Sequence, residues 1–207
     1  MHEPYSIDAP LPKPDLPGSV VVRASADELI DAIAADLFAQ ALACVRKFGD
    51  FHLALSGGST PMPLYRRLMY DPAYRQLPWK RTHLWIVDER CVPFDDERSN
   101  FKEIDEIVGI HSDIPRAQIH PILAMEADAD VRYEHELASA LIWREKGHDR
   151  LDYVLLGMGA DGHTASLFPR SPALMADLQT AAATGGEEVG ARAFKAGVDY
   201  RLVRRNA

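Results

Sequence analysis

The chain has 207 residues, 47% of them apolar and 26% charged, with 13 Gly and 14 Pro, and these fractions exclude collagen-like, disordered and disulfide-scaffold classes. Lys and Arg total 23 against 31 Asp and Glu, a formal charge of -8, so no overall attraction to nucleic acid or acidic membrane is expected, and an anionic ligand needs a local basic site. No stretch approaches the ~18 apolar residues of a membrane span, and Cys44 and Cys91 stand in unrelated contexts behind a start without leader character, which predicts a protein of the reduced cytoplasm.

Residues 1–18 carry Pro4, Pro10, Pro12, Pro14 and Pro17 and read as a peripheral extended arm. Val20 to Val22 predict a short strand. Ser25 and Glu28 then form a Ser-x-x-Glu capping box. Leu29, Ile30, Ile33, Leu37, Phe38, Leu42 and Val45 recur at helical spacing behind it, and Lys47 and Gly49 close the helix. Phe51 to Leu55 predicts a strand entering Ser56-Gly57-Gly58-Ser59-Thr60-Pro61, after which Pro61 or Pro63 opens a helix carrying Leu64, Tyr65 and Leu68. Leu84 to Val87 reads as a strand buried on both faces and runs into Asp88-Glu89-Arg90. A helix is predicted around Phe101 to Val108. A longer one is capped by Asp128 or Asp130, carries Val131, Tyr133, Leu137, Leu141 and Ile142, and ends before Gly147. Leu151 to Leu156 is a further buried-type strand, followed by Gly157-Met158-Gly159-Ala160-Asp161-Gly162-His163.

Strands alternating with helices imply an α/β fold, a parallel sheet with helices on both faces. Each polar cluster begins at the C-terminal end of a strand, where open α/β sheets place ligands, so the three loops are expected to converge.

The first cluster offers consecutive backbone N–H groups near a helix start, an anion cradle suited to phosphate; an ordinary tight turn has the same composition. It lacks the Gly-Lys-Ser/Thr of an ATP-binding loop. In the second, Arg90 suits bidentate recognition of a phosphate or carboxylate and Asp88 can accept a proton; a salt bridge is the plainer reading. Asp95-Asp96-Glu97-Arg98 reads as a solvated loop. In the third, Gly157-x-Gly159-x-x-Gly162 matches a dinucleotide fingerprint only formally, because Glu187 and Glu188 downstream do not follow a strand. His163 with Asp161 two residues before it suits a general base near neutral pH; a structural histidine is the alternative. The other seven histidines (2, 52, 83, 111, 120, 135 and 148) read as structural. None has His-x-x-x-His spacing and the cysteines lack Cys-x-x-Cys, so no metal is expected. Cys44 reads as packing, and Cys91 has no assigned base.

Together, Leu53 to Pro61, Trp85 to Pro93 followed by Ser99-Asn100, and Leu156 to Pro169 resemble the 6-phosphogluconolactonase family over about Val20 to Pro172. The resemblance implies a Rossmann-like fold shared with glucosamine-6-phosphate deaminases and ribose-5-phosphate isomerases. It implies hydrolysis of 6-phosphoglucono-δ-lactone to 6-phosphogluconate without a cofactor, with a small sugar-phosphate lactone as the partner and a monomer or homodimer as the acting species. By motif, Gly57, Gly58, Ser59 and Thr60 would hold the phosphate, Arg90 would supply charge, Asp88 would shape the site, and His163 would activate water with Asp161 in support.

Two alternatives stand beside this. An amino-sugar-phosphate deaminase or isomerase would resemble Asp-Glu-Tyr at the second motif and Gly-His-Ile-Ala-Phe-Asn-Glu at the third, and here Ser166-Leu167-Phe168 replaces the stretch carrying that last Glu. A non-catalytic sugar-phosphate-binding protein would keep the cradle and lose the chemistry. The expected organisation is an arm over 1–18, a lactonase-like domain over 19–180 and an atypical tail over 181–207. After Pro169 the chain lacks the family's Thr-Leu-Thr-Leu-Pro-like segment and Gly-x-x-Lys-Ala-like stretch, for which Phe194-Lys195-Ala196 is a faint echo. Two readings follow: a C-terminal part that is shortened or frame-altered, or an altered but functional ending.

Overall fold

The computed structural model describes residues 19–145 and 148–170. The proline-rich arm, the 181–207 tail and Lys195 lie outside the described residues. Within them, four parallel strands form one sheet in the order β3-β2-β1-β4: β1 Phe51–Leu55, β2 Thr82–Ile86, β3 Ile119–His120 and β4 Tyr153–Val154. Four helices connect or flank them: α1 Ala26–Phe48, α2 Met62–Tyr70, α3 Asn100–Ile104 and α4 Ala129–Leu141.

Helix α1 starts as its cap predicts, with Glu28 N–H donating to Ser25 Oγ at 3.2 Å while Glu28 Oε2 accepts from Ala24 N–H at 3.2 Å. It stops at Gly49, whose φ of 89° is left-handed and whose N–H returns to Val45 O at 2.9 Å. The buried stripe is Ala34, Leu37 and Ala41, whereas Leu29 and Leu42 are exposed. Val20 to Val22 is not a strand, which corrects the sequence expectation: β-branched residues favour extended backbone, but a strand needs a partner, and the described sheet leaves these three unpaired.

Side chains alternate across a strand, so one register places residues on one face. Tyr153, in register with Leu53, reaches Asp36 of α1 at 3.1 Å on one face. Trp85, in register with Ala54 and His120, packs edge-on against Tyr133 of α4 on the other. Helices thus cover both faces, and Phe51, Leu53, Leu55, Leu84, Trp85 and Ile86 are fully buried between them.

The N-terminal ends of β1 and β4 are clamped by Arg144. Its side chain is fully buried and donates to Asp152 at 2.7 and 3.0 Å and to Asp50 at 2.6 Å, while His52 N–H donates to Asp152 Oδ2 at 2.7 Å. The helix predicted over Phe101–Val108 is α-helical to Ile104 and then widens into a π turn, Asp105–Gly109, closed by Ile110 N–H on Asp105 O at 2.8 Å. Gly109 permits this, because a Cβ there would sit 1.9 Å from Asp105 Oδ1.

Candidate active site

The three polar loops leave β1, β2 and β4 at their C-terminal ends and meet around a cavity of about 240 Å³. Its lining includes Gly57, Gly58, Thr60, Asp88, Arg90, Asn100, His163 and Ser166. Ser59 is exposed and lies outside the lining, and Asp161 stands behind His163 rather than in the wall.

The first loop is pinned at its start. Ser56 Oγ donates to Leu155 O at 2.8 Å, and Tyr65 Oη of α2 donates to Ser56 O at 2.7 Å. A Cβ at Gly57 would lie 1.7 Å from Asn100 Oδ1, and Gly58 has φ 91°, so both positions need glycine. Among the described residues no hydrogen bond engages the N–H groups of Gly57, Gly58, Ser59 or Thr60. These groups lead into the N-terminus of α2, where the helix dipole favours negative charge.

The second loop is organised by Glu89, which the sequence reading left without a role. It is 2% exposed and accepts four hydrogen bonds: Arg90 N–H at 2.8 Å, Asn100 N–H at 2.7 Å, Phe101 N–H at 2.8 Å and Ser99 Oγ–H at 3.1 Å. The carboxylate caps α3 and fixes Asp88 and Arg90 on either side of it. Burial pushes the Glu89 carboxyl upward, against the pull of those four donors. Asn100 then acts as a hub. Its Nδ2 donates to Asp88 O at 2.8 Å and to Asp88 Oδ1 at 3.3 Å, and its Oδ1 accepts from Arg90. Arg90 also donates to Arg98 O at 3.1 Å and is exposed at the cavity mouth. Asp88 is half-buried, and burial raises its pKa against the opposing effects of Ser166, Arg90 and His163.

The third loop presents the imidazole. His163 Nδ1 lies 2.5 Å from Asp161 Oδ1, and the bond holds the Asp161 carboxyl below its ordinary value. A Cβ at Gly159 would fall 2.2 Å from His163 Cε1, so the imidazole packs over a position that needs glycine. Beyond His163, Ala165 and Ser166 are both left-handed, with φ 50° and 60°, and Ser166 Oγ donates to Asp88 Oδ2.

Asp50, His52 and His83 bring possible metal-ligand atoms within 4.8 Å of one another at the opposite end of β1. The imidazoles of His52 and His83 stack at 4.4 Å and 9°, and ligation by both would require the rings to leave that stack. Cys44 is partly buried, and burial lifts its thiol to about 12, consistent with packing. A larger groove, about 480 Å³, lies along α4 at Val131, Tyr133 and Glu136, and the glycine loops do not line it.

Residues 24–191 match the family model of glucosamine-6-phosphate isomerases/6-phosphogluconolactonase, and the chain belongs to that family. It is 47% identical over 161 residues to the human GDH/6PGL endoplasmic bifunctional protein, a match covering 74% of this chain and 20% of that protein. It is 41% identical over 120 residues to the 6-phosphogluconolactonase of Haemophilus influenzae, covering 57% of this chain and half of that one. The solved 6-phosphogluconolactonase of Thermotoga maritima superposes with a TM-score of 0.60 at 28% identity, over 84% of this chain and 71% of that chain. The chain spans about half the length of the bacterial relative and a fifth of the human one. Among the described residues no helix is long and apolar enough to cross a membrane.

Proposed function

We propose that this chain hydrolyses 6-phosphoglucono-δ-lactone to 6-phosphogluconate. The observation that carries the reading is one cavity bounded on one side by the glycine loop and on the other by an imidazole backed by a carboxylate. The names of the relatives support the same substrate class.

The backbone N–H groups of Gly57, Gly58, Ser59 and Thr60, with the α2 N-terminus behind them, receive the phosphate. Arg90 at the cavity mouth adds the positive charge that a chain of net charge -8 otherwise withholds from an anion. Asp88 shapes the wall between them. Asp161 holds His163 Nδ1–H, which leaves Nε2 to take a proton from water. The water oxygen bonds to the lactone carbonyl carbon and the carbonyl electron pair moves to its oxygen. When the pair returns, the ring C–O bond breaks, and the proton on Nε2 passes to the ring oxygen as it becomes the product hydroxyl. No electron is transferred to a carrier, so the chemistry calls for no cofactor.

A cytoplasmic setting and action as a monomer or homodimer belong to the same proposal; the unpaired state of Cys44 and Cys91 supports the reduced setting. The test is pH-stat titration of freshly generated lactone, corrected for spontaneous hydrolysis. Acid release well above the spontaneous rate is expected. A rate equal to the spontaneous one, with ammonia released from glucosamine 6-phosphate, would replace this reading with the deaminase one. Neither reaction, with phosphogluconate raising the melting temperature, would make the chain a binding protein.

A further inference from the structure

The geometry points to Ser166 as a positioning residue for His163, acting by tying the tip of the histidine loop to Asp88. This rests on the hydrolase reading above and adds a residue to which that reading gives no role. Between His163 and Phe168 the chain doubles back: Thr164 pairs with Leu167 in an antiparallel bridge, and Leu167 N–H donates to Thr164 O at 2.8 Å. The reversal is made by Ala165 and Ser166, whose φ values of 50° and 60° are ones that non-glycine residues adopt at a cost.

The returning segment lays the Phe168 ring against the imidazole, with centroids 4.1 Å apart at 37°. The tip itself is held by Ser166 Oγ on Asp88 Oδ2. From Asp88 the chain of bonds continues through Asn100 Nδ2 to Asn100 Oδ1 and Arg90. Two kinds of restraint therefore bear on the imidazole: direct contacts from its own loop, by Asp161 and Phe168, and the anchoring of that loop. Asp161 sets its rotation and tautomer, and Asp161 lies in the same exposed loop, so it cannot fix where that loop stands relative to the rest of the cavity. Ser166 does that, by joining the loop after β4 to the loop after β2 across 78 positions of sequence. Near-attack geometry depends on this kind of placement.

The test compares the full chain with Ser166→Ala and Ser166→Gly. Both remove the hydroxyl, and glycine also removes the backbone cost. The expected result is a kcat reduced about tenfold or more in both, with KM within about twofold and an unchanged melting temperature. The His163 imidazole proton shared with Asp161, assigned in the NMR spectrum by comparison with His163→Gln, is expected to broaden in both variants. Wild-type kcat in Ser166→Ala would overturn the proposal and leave the hydrolase reading intact. Loss in Ser166→Ala with full activity in Ser166→Gly would overturn it in favour of backbone conformation. A parallel fall in kcat, substrate affinity and melting temperature would overturn it in favour of simple loop destabilisation. If the wild-type chain hydrolyses no lactone, the functional reading fails, and the imidazole proton signal alone decides the proposal: unchanged in both variants, it is overturned.

Discussion

Asp161 Oδ1 stands 2.5 Å from His163 Nδ1, in a turn that Gly159 and Gly162 make possible. In the proposed mechanism the carboxylate accepts the Nδ1 proton and so leaves Nε2 to act as base. Asp161→Asn keeps the shape and offers an amide that can present N–H instead, favouring the wrong tautomer. We expect kcat to fall about tenfold or more while KM changes little. Steady-state kinetics on the lactone check this, and an unchanged kcat would remove Asp161 from the account.

Glu89 should matter to the fold more than to the chemistry. Four donors converge on its carboxylate at 2% exposure, and Glu89→Gln would set an amide N–H against one or more of them. A loss of about 2–4 kcal/mol is expected, measured by urea unfolding. Ser99→Ala, which removes one donor and the cap on Lys102 N–H, should cost about 1 kcal/mol.

Gly57→Ala tests the contact between the first two loops. A Cβ 1.7 Å from Asn100 Oδ1 must displace that side chain and with it the Arg90 and Asp88 contacts. We expect KM for the lactone to rise about tenfold, because uniform binding is lost, with a smaller change in kcat.

Stability should depend on pH through His83. Burial, then His52 and His120, depress its imidazole from 6.5 to about 4. Between these values the unfolded chain binds the extra proton and the folded chain does not, so this contribution is present above pH 6.5 and is lost as pH falls towards 4. Urea midpoints measured at pH 7 and pH 4.5 should fall with pH in the wild type and fall less steeply in His83→Asn.

How much of this was legible in the sequence depended on how local each signal is. Helix α1 was readable from its capping box and closing glycine, and β1 and β2 from short apolar stretches, although β2 runs over Thr82–Ile86, starting two residues before and ending one before the predicted Leu84 to Val87. Strand β3 was not, since Ile119 and His120 are two residues paired only through Leu84 and Trp85. The glycines, Asp88, Arg90 and His163 were readable as loops at strand ends. Asn100 and Ser166 were not given roles, because each acts through a partner 12 or 78 positions away and no local pattern announces it. Glu89 stood in plain view beside Asp88, and only the fold shows that it faces a helix N-terminus rather than the cavity.

The most direct test of the central claim is His163→Ala, measured for both turnover and binding. The account predicts that lactone hydrolysis falls by about 100-fold or more. It also predicts that phosphogluconate still raises the melting temperature as it does for the wild-type chain, because the cradle at Gly57 to Thr60 is untouched. Retained hydrolysis in His163→Ala would contradict the account.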